Sequence, residues 1–156
     1  MKRVVVLSDI HGNLAALEAV VARLPALKPD QVAILGDHAL FGPQPSETID
    51  LIQQLQKKGA LVTAGTGDIA VSDLDYAASF PSLAGGLPPG LKAAVEWASD
   101  ALDDDRIEWL RSLPSERRIR YGDIAVTFCH ASPGSRTGCR YAKTCTRCPS
   151  AWAPTR

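Results

Sequence analysis

Asp9, His11, Asp37, Asp68 and His130 are the side chains of this sequence best placed by type and spacing to do chemistry. Each follows a short apolar run that reads as a strand. Val4 to Leu7 precedes Asp9, Gln31 to Leu35 precedes Asp37, Leu61 to Thr63 lies just ahead of Asp68, and Ile124 to Cys129 leads into His130. Carboxylate and imidazole together suit a divalent transition metal such as Mn, Fe, Zn, Co or Ni better than Ca. Two such ions about 3.5–4 Å apart would activate water and steady both the attacking and leaving oxygens at phosphorus. Each residue also has an ordinary structural reading. Asp9-Ile10-His11 can be a cap or turn, Gly36-Asp37 a turn, Asp68 the cap of the turn at Ile69, and His130 a hydrogen-bonded core histidine. What sets the group apart is that its members recur, in order, at strand ends.

The elements that must position them alternate strand and helix. Val4 to Leu7 is β-branched enough to be a strand buried on both faces. Asn13 is a candidate cap for a helix with Leu14, Leu17, Val21 and Leu24 on one face, which Pro25 and Pro29 should break. After the strand Gln31 to Leu35, Phe41-Gly42-Pro43-Gln44-Pro45 reads as loop, and Ser46 as the cap of a helix burying Ile49, Ile52 and Leu55. Strand, helix, strand, helix, strand with tight loops predicts right-handed crossovers and a largely parallel sheet. Ligands of such sheets bind outside the carboxyl ends of the strands, where the candidate residues fall. Residues 73–90 read as irregular. Two helices follow, one with Leu91, Val95, Ala98 and Leu102, the other opened by Asp103-Asp104-Asp105, whose charges suit a helix N-terminus. Gly122-Asp123 between two β-rich runs predicts a hairpin.

With 156 residues the chain has room for one core. Its 17 basic and 17 acidic residues balance, which gives no reason to expect nucleic acid or an anionic membrane as partner. The balance conceals an asymmetry, because Arg136, Arg140, Lys143, Arg147 and Arg156 all follow Ala131 and no Asp or Glu does. The remainder is acidic, as suits a cation-binding enzyme. No leader or membrane-spanning run is legible, so the cytoplasm is expected.

Ser8-Asp9-Ile10-His11-Gly12-Asn13, Leu35-Gly36-Asp37 and His130-Ala131-Ser132-Pro133 resemble three of the five motif blocks of the calcineurin-like metallophosphoesterases. The likeness runs over roughly residues 2–138. It is nearest to the small bacterial YfcE-like and diadenosine-tetraphosphatase-like branch, which Phe41 to Pro45 also resembles. The resemblance implies an α/β/β/α sandwich around a dinuclear site, with an activated water as nucleophile. It implies Asp9 and His11 on the first metal, Asp37 bridging both, and His130 on the second. The family's third block is Gly-Asn-His-Asp or a variant; here it is Gly65-Thr66-Gly67-Asp68. Thr66 therefore takes the place of an Asn ligand to the second metal, Gly67 cannot act as an acid, and Asp68 lacks the histidine it would orient. A final Gly-His-x-His block is absent; the remaining histidine, His38, reads as a loop side chain.

Residues 131–156 contain no Val, Ile, Leu, Met or Phe but three of the four cysteines. Cys139, Cys145 and Cys148 have zinc-ligand spacing, yet a structural zinc site wants four ligands. A frame change near Ser135 would explain the composition and the missing block together. The expectation is thus a metallophosphoesterase-like domain over residues 1–135, C-terminally truncated with an incomplete second sheet, and an irregular, disordered Arg/Cys-rich tail over 136–156. The expected function is hydrolysis of a phosphorylated small molecule with Mn as the first choice of metal, catalysis impaired and only one ion tightly held. An exposed sheet edge would favour homo-oligomers. The alternative is a non-catalytic nucleotide- or protein-binding module.

Overall fold

The structure, a computed structural model, describes residues 2–83 and 85–133. The expected tail over 136–156, its boundary and the cysteine-zinc reading lie outside the described residues. Strands β1 (Val4–Leu7), β2 (Gln31–Leu35) and β3 (Leu61–Thr63) form a parallel sheet with β2 in the middle. Val4 lies opposite Gln31, and Ala33 opposite Leu61. Strands β4 (Glu116–Tyr121) and β5 (Ile124–Cys129) form the expected antiparallel hairpin, joined at Gly122-Asp123 with Tyr121 opposite Ile124. This second sheet is small. Its β4 packs beside β3 and its β5 beside β2, and Ala64 N–H donates to the Pro114 carbonyl at 2.9 Å where the sheets meet.

Six α-helices and a 3-10 turn at Pro81–Leu83 complete the described chain, the α-helices being α1 (Leu14–Leu27), α2 (Pro45–Lys57), α3 (Thr66–Asp73), α4 (Tyr76–Ser79), α5 (Pro89–Asp100) and α6 (Asp104–Ser112). Asn13 caps α1 as expected, its side-chain oxygen accepting the Ala16 N–H at 3.1 Å. The helix runs on through Pro25 to Leu27, although Pro25 has no N–H to give the Val21 carbonyl. Helix α2 starts at Pro45, whose missing N–H has no intrahelical partner in a first turn anyway. Ser46 is not its cap; the hydroxyl donates to the Ala101 carbonyl at 2.7 Å and ties α2 to the end of α5.

Helix α3 and the short α4 occupy a stretch with no clear helical period in the sequence. The formation of α3 is a tertiary effect, since its Ile69, Ala70 and Val71 are all buried, whereas α4 is started by Asp75, whose carboxylate accepts the Ala78 N–H at 3.0 Å. The core joins Ile34 and Val62 of the sheet to Ile49, Ile52, Val71, Val95 and Leu110 of the helices. Arg106 of α6 grips Asp50 of α2 with two hydrogen bonds of 2.9 and 2.8 Å. Strand β1 departs from the expected double burial: among the described residues it is an edge strand, and Val6 is 50% exposed.

Candidate metal centre

The loops after β1 and β2 are zipped together beyond the ends of the strands. Asp9 N–H donates to Gly36 O (3.2 Å), His11 N–H to Asp37 O (2.9 Å), Gly12 N–H to His38 O (2.7 Å) and Gln44 N–H to Gly12 O (3.1 Å). The backbones approach so closely that a Cβ on Gly42 would stand 1.9 Å from the His11 carbonyl oxygen. Within these loops Asp9, His11 and Asp37 hold φ of 56°, 51° and 55°. Among residues with side chains, Asp and His tolerate this left-handed region comparatively well, though its use is uncommon and costs free energy.

The result is a cluster at the carboxyl end of the parallel sheet. One ligand atom each from Asp9, Asp37 and His130 lie within 4.8 Å of one another. Asp37 divides its carboxylate: Oδ2 is 3.8 Å from His11 Nε2, and Oδ1 is 3.6 Å from His130 Nε2. His11 Nε2 is also 3.9 Å from Asp9 Oδ1. These separations are too long for hydrogen bonds. Two ligand atoms each about 2.1 Å from a shared ion would stand at comparable separations. His130 Nδ1 faces the Leu35 carbonyl at 2.7 Å. A carbonyl only accepts, so Nδ1 carries the proton and the Nε2 lone pair is left for a ligand role.

Electrostatics agree with this donor set. Burial, and after it the Asp68 carboxylate, raises the Asp37 carboxyl above the ordinary Asp value, against the pull of the Gly67 amide and of His130 and His11. A buried carboxylate of this kind is relieved by a cation. The residues present therefore fit a divalent metal, which Asp9, His11, Asp37 and His130 would hold.

Asp68 caps the first turn of α3, as expected, and does more. It is fully buried, and its carboxylate accepts N–H donations from Asp37 (2.8 Å), His38 (2.7 Å) and Gly65 (2.8 Å). It joins the loop after β2 to the loop after β3. His38, expected as a loop side chain, is instead fully buried: Nε2 donates to the Thr63 carbonyl at 3.0 Å and lies 3.7 Å from Asp68 Oδ2. Nothing in sequence spacing marked it. Thr66 is the first residue of α3, one before Gly67, whose N–H donates to Asp37 Oδ1 at 2.8 Å. A Cβ on Gly65 would meet that same carboxylate oxygen at 2.3 Å, so the third loop presses its backbone against Asp37.

Residues 2–71 match the calcineurin-like phosphoesterase family. A metallophosphoesterase of Sphaerobacter thermophilus is similar in structure, with a TM-score of 0.60 and 30% identity over 87% of this chain and 49% of that one. A hypothetical protein of Pyrococcus horikoshii gives a TM-score of 0.68 and 29% identity, over 88% of this chain and 57% of its own. An uncharacterized protein of Methanocaldococcus jannaschii is 27% identical over 130 residues, which is 83% of this chain and 49% of that relative. The chain thus spans about half the length of these relatives. Residues 2–71 thus match the calcineurin-like phosphoesterases in sequence, and the fold is similar to that of a metallophosphoesterase.

Proposed function

We propose that the chain carries the metal-binding part of a phosphoric ester hydrolase, a phosphodiesterase or phosphatase acting on a phosphorylated small molecule in the cytoplasm. The observation that supports this reading most is the Asp37 carboxylate, set between His11 and His130 with Asp9 beside it. A divalent metal bound there, with Mn²⁺ our first choice, would polarise a phosphoryl oxygen and acidify water. The residues' own work is to hold charge and geometry. Asp9, which is exposed, meets the solvent side; Asp37 brings negative charge between the two imidazoles; the Leu35 carbonyl orients His130. Asp68 acts through the backbone of the loops and touches no substrate.

Position 67 bears no side chain, so nothing at that point can protonate a leaving group. Hydrolysis should then favour esters whose alcohol leaves readily. The test is Mn²⁺-dependent cleavage of bis(4-nitrophenyl) phosphate by the full chain, alongside Mn²⁺ titration by calorimetry. We expect slow turnover that is lost in Asp9→Asn, and at most one tight ion per chain, weakened in Asp37→Asn. Mn²⁺ binding with no turnover on any ester would favour the binding-module alternative. Rapid cleavage of an alkyl phosphate would contradict the leaving-group argument.

A further inference from the structure

Phe41 is the residue at this site whose chemistry the metal reading leaves unused. It is a bulky apolar side chain, 58% exposed, on a backbone with φ of 78°. Both features are unfavourable: its ring recovers little burial, and left-handed backbone is a genuine outlier for a bulky residue. A Gly or Asn would satisfy the same turn with less strain. The conformation persists because residues 38 and 44 on either side are bonded to Gly12, by Gly12 N–H to His38 O and Gln44 N–H to Gly12 O. The neighbouring Gly42 packs on the His11–Gly12 backbone, leaving the chain no room to relax. The ring is thereby held beside the metal-ligand cluster, with its centroid 5.2 Å from that of His11 and the planes tilted by 57°.

We infer that Phe41 is a stacking platform that selects phosphoric esters whose organic half is a planar ring, a nucleobase or an aryl group. This rests on the proposed metal centre as the place where the phosphoryl group sits. A base or aryl ring laid on an exposed aromatic face gains affinity without needing directed hydrogen bonds. The strained backbone then has a use, since it keeps a rigid aromatic at a set distance from the phosphoryl position.

The inference is tested by calorimetry on the full chain with Mn²⁺, using AMP, phenyl phosphate and ribose 5-phosphate as probes. We expect AMP or phenyl phosphate to bind about 5- to 100-fold tighter than ribose 5-phosphate, and which of the two gains identifies the ring. Phe41→Ala and Phe41→Leu should both abolish the difference, and Phe41→Trp should keep it, with Mn²⁺ affinity unchanged throughout. Leu separates stacking from simple apolar contact, and carries the test if the Ala variant folds poorly. Equal binding of all three probes, no binding of any, or a difference that survives in Phe41→Leu overturns the inference. Mn²⁺ affinity that Asp37→Asn leaves unchanged would instead overturn the metal centre, so the two failures are read on separate measurements.

Discussion

Asp37 sits in a compromise between stability and ligation. Its carboxyl is raised above the ordinary Asp value, chiefly by burial and next by Asp68. Between the unfolded and the raised native value, the folded protein keeps a proton that the unfolded chain has released. Stability is therefore lost as pH rises through that window, and the whole loss is present above it. In chelator-treated protein, Asp37→Asn should melt above the wild type at neutral pH, and the gap should close below about pH 4. Mn²⁺ should reverse the order, raising the wild-type melting temperature more than the variant's, because the ion binds the ionised carboxylate. Asp68 has the opposite character. Removing its carboxylate in Asp68→Ala leaves the N–H groups of Asp37, His38 and Gly65 without their acceptor. We expect a cost of about 3–5 kcal/mol, read by urea denaturation; a loss below about 1 kcal/mol would mean that other groups replace it.

At the scale of elements, the parallel strands deliver their loops to one place, and backbone contacts between loops then set the ligands. Gly42 tests that statement. In Gly42→Ala the new methyl would run into the His11 carbonyl, so the two loops must part or twist. An overpacked backbone contact of this kind should cost about 2–3 kcal/mol, and Mn²⁺ affinity should fall because His11 moves with its carbonyl. A Gly42→Ala protein with wild-type stability and metal binding would show that the loops are not tightly coupled. Helix α3 belongs to the same coupling. It starts at the third loop, its Gly67 N–H holds Asp37 Oδ1, and its Asp68 carboxylate holds the second and third loops together.

Across the whole molecule, the described residues leave one flank of the parallel sheet open. β1 is an edge strand, and Val6 stands exposed with Val20 and Leu27 of α1. A shallow groove lined by Val6, Ala16, Leu17 and Val20 runs up to Asp9. An apolar edge invites another strand or a second copy. Sedimentation velocity should accordingly show concentration-dependent association that Val6→Lys diminishes while the melting temperature changes little. Association unaffected by the lysine would place the contact elsewhere.

The sequence by itself determined the strands, the parallel order of the first three, the hairpin at Gly122-Asp123 and the residues that converge at the carboxyl end of the sheet. These were legible because β-branched runs, helical spacing and turn residues act locally, and because strand ends in such a sheet fall on one side. The tertiary structure decided what depends on packing between distant segments. His38 looks like a loop side chain until Thr63 and Asp68 are placed around it. Asp68 reads only as a turn cap until the amides of residues 37 and 38 are brought to it from 31 and 30 positions away. Helix α3 has too few residues to hold a turn without the core that buries Ile69 to Val71. Val6 reads as doubly buried, but a strand's apolar residues do not say whether a neighbour exists to cover them. Hydrogen bonds and burial between segments far apart in sequence leave no periodic mark in either one, and those contacts hold the candidate ligands in place.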